Sequence, residues 1–194
     1  MQDRIFGDRG KAMEEVFFRD RDAKLTKALQ LRAHLDEIAM ALGEKLTVDD
    51  PDLLEKVRSL GITLDTAPAL FVAPLVQVAW AEGKVTRQEH DAVLRLARGR
   101  GMEPTSPAYA QLEIWLRTRP ADVVFETAIE ILKVGFSVLP PAQREERIDS
   151  ILRACREIAA ASGGPERLLG FGDDVSRAEH VTLDHISRAL RSSG

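Results

Sequence analysis

The stretch AWAEGKVTRQEH, residues 79–90, predicts how this chain folds. Its first half has the small residues that are typical of a closely packed helix end, and Gly83 supplies the backbone freedom that ends a helix. Thr86 is followed three residues later by Glu89, which is the spacing of a capping box. Val85 precedes the cap and can pack onto the new helix. The stretch therefore predicts a helix, a tight turn and a second helix.

The same pattern occurs a second time in the C-terminal part of the chain. A helix-like segment ends in AAASGG, residues 159–164, and an insertion over 164–174 separates it from VSRAEH, residues 175–180. Ser176 and Glu179 repeat the capping-box spacing. The apolar positions before and after the two turns also stay in step. This repetition predicts an internally duplicated helical hairpin.

Helix signals also occur outside the two motifs. Pro51 and Pro107 suit the first position of a helix, Gly61 suits the position after its end, and the strand-like residues 123–131 carry the Glu and Ala content of a helix. The signals predict helices over residues 8–42 (one helix or two), 49–61, 67–81, 106–120, 121–138, 142–161 and 176–191. No segment is a convincing strand. We therefore expect an all-α protein, an antiparallel helical bundle of about eight helices.

Composition and charge exclude several classes of protein. The chain has 194 residues, 44% of them hydrophobic, and a formal net charge of -4. Since duplex binding requires a strong basic excess, we expect no nucleic-acid partner. Residues 1–10 lack the features of a signal peptide, and the apolar stretch 67–81 is shorter than the roughly 20 residues of a membrane span. With Cys155 as its one cysteine, the chain is predicted to be cytoplasmic, without a membrane span.

The two motifs resemble those of the TerB-like family, which is named for a tellurite-resistance protein. In that family a helix ends in a motif like Ala-x-Ala-(Asp/Glu)-Gly, and a Val-(Asp/Ser/Thr)-x-x-Glu helix start follows. The resemblance implies an all-helical bundle of two related halves and a role as a binding or scaffold module in bacterial stress and metal-resistance systems. The resemblance covers about residues 65–191, and the N-terminal forty residues fall outside it. Together with the helix signals, it predicts a long N-terminal helical segment over residues 1–45 and a TerB-like domain over 46–194, with the first packed on the second.

The family resemblance also implies divalent-cation binding through acidic turn residues. The matching positions are Glu82 and Glu89 in the first motif and Glu179 in the second, and Asp173 is added because it lies near the second turn in the sequence. Ser162 replaces an acidic residue of the family pattern, which weakens the case for a metal. The other interpretation of Glu89 and Glu179 is helix capping, and both interpretations stay open here.

No set of residues combines a nucleophile, a base and an orienting group, so an enzyme is not predicted. Cys155 aligns with Leu75 on the buried side of its hairpin. His180 and His185 are five residues apart, which is off the i, i+4 spacing that places two ligands on one helix face. The predicted function is a non-enzymatic TerB-like interaction module with weak divalent-cation binding and a protein partner. The alternative is a metal-free adaptor that forms a homodimer, or docks on a partner, through its N-terminal helix.

Overall fold

A computed structural model describes residues 51–63, 65–161 and 175–192, together with Thr26. From residue 51 onward, these described residues form seven α-helices, one 3₁₀ helix and no strand. The elements are α1 (Pro51–Ser59), the 3₁₀ helix (Ala67–Val72), α2 (Ala73–Ala79), α3 (Arg87–Gly99), α4 (Pro107–Arg117), α5 (Asp122–Ser137), α6 (Pro141–Ala161) and α7 (Arg177–Arg191). The all-α class is confirmed for this part of the chain. The predicted helix over 8–42 and the insertion over 164–174 lie outside it.

Local signals placed most helix ends correctly. Pro51 is the first residue of α1, and Gly61 follows its end with a φ of 74°. At the start of α4, the Ser106 hydroxyl accepts the Tyr109 backbone N–H at 3.2 Å, and Pro107 occupies the first turn. The strand-like residues of α5 are helical, as predicted. Caps and prolines fix these boundaries because they act within a few residues of chain.

The prediction of one continuous helix over residues 67–81 was wrong. The structure divides this apolar stretch into the 3₁₀ helix and α2, with Pro68 and Pro74 each in the first turn of its own helix. Proline has no N–H to donate, and its ring collides with the preceding turn of an α-helix, so Pro74 ends the first segment and starts the second. The prediction that this stretch is buried is confirmed, because nearly all of its apolar side chains are inaccessible to solvent.

Helix α2 lies at the centre of the bundle. It packs against every one of the helices α3 to α7, and Leu75, Val76 and Val78 are buried in these contacts. Helix α6 packs on both α2 and α3, and α7 packs on α2 and α6. The two hairpins that carry the repeated motif therefore face each other. None of the helices in the described ranges has both the length and the apolar content needed to span a membrane.

Candidate functional site

The first motif forms a complete capping box at the start of α3. Thr86 is extended, with φ -76° and ψ 162°, and its Oγ1 accepts the Glu89 backbone N–H at 3.2 Å. Glu89 Oε2 accepts the Thr86 backbone N–H and the Thr86 hydroxyl, both at 2.7 Å. Gly83, with a φ of 79°, turns the chain between α2 and the cap. The capping role predicted for Glu89 is thus present.

The second motif forms the same device at the start of α7. The Ser176 backbone N–H donates to Glu179 Oε2 at 2.6 Å, and the Glu179 backbone N–H donates to Ser176 Oγ at 3.3 Å. Val85 and Val175, which precede the two caps, are both partly buried against the core. The two turns therefore share a hydrogen-bonding scheme, as the repeated sequence predicts.

The two capping carboxylates are buried, which is unusual for glutamate. Glu89 is 2% exposed and Glu179 is 0% exposed. Burial raises the pKa of Glu89 above the ordinary value of 4.5, the bonds from Thr86 oppose this, and the negative charges of Glu179 and Glu82 raise it further. Glu82 and Glu179 therefore both lie within electrostatic range of Glu89.

The raised pKa makes the stability of the fold depend on Glu89 and pH. The protonated carboxyl stabilises the folded state fully below the unfolded pKa, and this contribution is lost as the pH rises through the folded pKa. We expect the free energy of unfolding of the wild type to fall relative to Glu89→Gln as the pH rises above 4.5, the ordinary value. Glutamine retains the capping box but does not ionise. Urea denaturation of both proteins across this pH range measures the difference.

The control for this comparison is Glu126→Gln, which removes an exposed carboxyl from α5. Its stability should run parallel to that of the wild type over the same pH range. If the Glu89→Gln curve also runs parallel to the wild type, the ionisation of Glu89 is not linked to folding.

The structure brings together part of the predicted metal-ligand set. Glu82 and Glu179 act electrostatically on Glu89, but Glu82 is exposed in the turn whereas the other two are buried. The Thr86 bonds use one Glu89 oxygen, Oε2. Within the described ranges, no group of three or more His, Cys, Asp or Glu side chains is arranged to hold a metal ion. Asp173 lies outside the described residues, so the complete predicted set stays a prediction.

A broad open cleft of about 620 Å³ adjoins the first turn, and we call it the Trp80 cleft. It is lined by residues of the turn, the start of α3 and the end of α4: Trp80, Gly83, Lys84, Val85, Thr86, Arg87, His90, Leu116 and Arg117. The Trp80 indole N–H donates to the Trp115 carbonyl oxygen at 2.8 Å, which fixes the partly exposed ring against α4. The cleft therefore offers a rigid aromatic surface.

Three cationic side chains border the Trp80 cleft. Arg87 lies 3.9 Å from Asp91, and Arg117 lies 3.5 Å from Glu113, while Lys84 has no carboxylate partner among the described residues. These contacts are long, solvent-exposed ion pairs of the kind that contribute little to stability. The guanidinium groups can therefore exchange their partners at low cost. Sequence reasoning missed this cation cluster because Arg117 comes from a separate helix.

Three residues of chemically reactive types, one cysteine and two histidines, lie outside the Trp80 cleft or in ordinary structural positions. Cys155 is fully buried in α6, and burial raises the pKa of its thiol to about 12. The reactive form of a cysteine is the thiolate, which this environment suppresses. His90 Nδ1 lies 3.2 Å from Asp91 Oδ1 at the surface, and His180 is exposed on α7. The core position predicted for Cys155 is confirmed.

No family model matches the chain, and no curated protein or solved structure matches it. The TerB-like resemblance thus stays a prediction that rests on the two motifs.

Proposed function

We propose that this chain is a non-enzymatic helical interaction module of the TerB-like type, which binds an acidic segment of a partner protein in the Trp80 cleft. The observation that carries the proposal is the cluster of Lys84, Arg87 and Arg117 around Trp80, on a chain whose formal net charge is -4. A local cationic surface on an acidic protein attracts acidic partners and disfavours basic ones. The TerB-like resemblance adds an association with bacterial stress and metal-resistance systems.

The lining of the cleft suits a peptide that carries both acidic and apolar side chains. Trp80 and Val85, which are both partly exposed, supply apolar surface, and an aromatic ring held in one orientation loses little entropy when it is covered. The cations at the rim would fix the register of glutamate or aspartate side chains. Aromatic residues and arginine also dominate the binding energy of known interfaces.

A labelled peptide of alternating glutamate and leucine tests this function by fluorescence anisotropy. We expect saturable binding that weakens as salt is added, because exposed charges are screened. The double variant Lys84→Glu/Arg117→Glu should bind about tenfold more weakly or worse. The matched control, Arg98→Glu/Arg153→Glu, changes the net charge equally at exposed positions outside the cleft and should bind as the wild type does. Equal binding by both double variants would reject this site.

A second candidate function is weak divalent-cation binding at the first turn. It is favoured by the repulsion that Glu89 experiences from the negative charges of Glu82 and Glu179, because a cation near the Glu89 carboxylate would offset them. Carboxylate oxygens are the preferred ligands of calcium, magnesium and manganese. The bonds to Thr86 leave the second Glu89 oxygen outside the capping box.

Thermal unfolding with and without each cation tests the second function. If a cation binds only the folded state, the melting temperature should rise with ion concentration. Glu82→Gln should remove this rise while leaving the ion-free melting temperature nearly unchanged, because Glu82 is exposed and takes no part in the capping box. Glu126→Gln is the matched control and should keep the response. A wild-type melting temperature that is independent of every cation would rule this function out.

The metal-free adaptor remains the alternative for the chain as a whole. Its proposed contact surface, the N-terminal helix over residues 8–42, lies outside the described residues except for Thr26. In that case neither the acidic peptide nor a cation would bind.

A further inference from the structure

We propose that a second cleft, which shares no residue with the Trp80 cleft, binds a small organic phosphate. This cleft has a volume of about 380 Å³ and lies between the end of α5, the start of α6 and the end of α7. Lys133 and Arg144 are the cations that would hold the phosphate. We call it the α5–α7 cleft.

The charges of this cleft do not cancel. Its two acidic side chains already hold other cations, since Glu130 accepts from Lys56 at 2.8 Å and Glu145 accepts from Arg191 at 3.2 Å. Arg191 is further held by Asp149 at 2.6 Å. These ion pairs neutralise Glu130 and Glu145. The remaining cations of the lining are Lys133 and Arg144.

Lys133 and Arg144 have no carboxylate partner within the described ranges. Lys133 Nζ donates to the Ser192 hydroxyl at 3.0 Å, and Arg144 Nη2 donates to the Ser137 carbonyl oxygen at 3.1 Å. Arg144 Nε is buried and bonds to none of the described residues. A buried N–H without an acceptor costs free energy, and an anionic oxygen in the cleft would become its acceptor once the Arg144 side chain turned towards the ligand. The Lys133 ammonium and the Arg144 guanidinium therefore line the same cleft, and each has N–H groups that could still donate to a ligand.

The size and the apolar lining of the cleft indicate a ligand that carries an organic group as well as a phosphate. Its volume lies in the range of small-molecule sites, roughly 300–1,000 Å³. Val134 is partly exposed and contributes apolar lining beside the two cations, while Phe136, Ile148 and Leu190 are buried. Arginine and lysine are the usual protein ligands of phosphate, and a doubly charged phosphate monoester would satisfy both. The organic part of the ligand would cover the apolar wall.

Isothermal titration calorimetry with phenyl phosphate tests the proposal on the full-length protein. Inorganic phosphate and phenol are the comparison ligands. Each should bind more weakly than phenyl phosphate, because inorganic phosphate lacks the apolar ring and phenol lacks the charged phosphate. Lys133→Gln and Arg144→Gln should each weaken phenyl phosphate binding by about tenfold or more, because each removes a charge-assisted bond. Arg153→Gln, an exposed change on α6 outside the cleft, should have no effect.

Three results would overturn the proposal. They are no saturable binding of phenyl phosphate, binding that survives both glutamine substitutions, and equal weakening by Arg153→Gln. If Arg144→Gln proves unstable by circular dichroism, Lys133→Gln decides alone, because Lys133 makes only the side-chain bond to Ser192. The acidic-peptide assay does not depend on this cleft, so the two proposals can fail separately.

Discussion

Replacing Leu75 with alanine is expected to lower the free energy of unfolding by about 2–5 kcal/mol. Leu75 is 1% exposed, and it belongs to the helix that contacts α3, α4, α5, α6 and α7. Truncation there removes apolar contacts and leaves a cavity that the surrounding helices cannot all close at once. Denaturation by guanidinium chloride, followed by circular dichroism, measures the change.

Ile114→Ala is the matched control for this truncation. Ile114 is 55% exposed on α4, so its replacement should change the free energy of unfolding by no more than about 0.5 kcal/mol. A similar loss in both variants would mean that α2 is not the centre of the core. Because the destabilisation by Leu75→Ala does not depend on the functional proposals, it tests the fold alone.

The thiol of Cys155 is expected to resist alkylation in the folded protein. Burial raises its pKa to about 12, so at pH 8 the thiolate would be about one part in ten thousand, against roughly a quarter in an unfolded chain. This difference alone slows the reaction with iodoacetamide by about two-thousandfold, and loss of access slows it further. Mass spectrometry of samples quenched over time, with and without urea, measures both rates.

The matched control for alkylation is the urea-unfolded chain at the same pH, which should be labelled completely. Rapid labelling of the folded protein would mean that α6 opens readily or that Cys155 is activated. The second case would reopen the question of a catalytic cysteine, which the proposed non-enzymatic function excludes.

Much of the helix pattern could be predicted from the sequence because its signals are local. The capping boxes at Thr86 and Ser176 need only four consecutive residues each, and both occur where the spacing placed them. Pro51 and Pro107 likewise start helices as predicted. Burial of Cys155 followed from its alignment with Leu75. The helix boundaries were predicted correctly because the responsible interactions lie within a turn or two of chain, whereas the burial of Cys155 followed from the repeat.

The features that escaped prediction depend on contacts between distant segments. The Trp80 cleft requires the end of α4 to lie against the first turn, through the bond from Trp80 to the Trp115 carbonyl oxygen. The full burial of Glu89 and Glu179 likewise depends on how the helices pack, which capping-box spacing does not specify. In the stretch 67–81, the hydrophobic run predicts one helix, but Pro74 divides it into two. The periodicity of apolar residues indicates which face of a helix is buried, but it does not indicate which other helices pack against that face.

The central position of α2 has a consequence for synthesis on the ribosome. Helix α2 ends at Ala79, whereas α6, one of the helices that cover it, begins at Pro141. The nascent chain therefore exposes the apolar residues of α2 while α6, which packs on them, is still being translated. Local helix formation is fast, but contacts between distant segments form late. Transiently exposed apolar surface is prone to aggregation, so we expect translation that stalls between α2 and α6 to leave an aggregation-prone product.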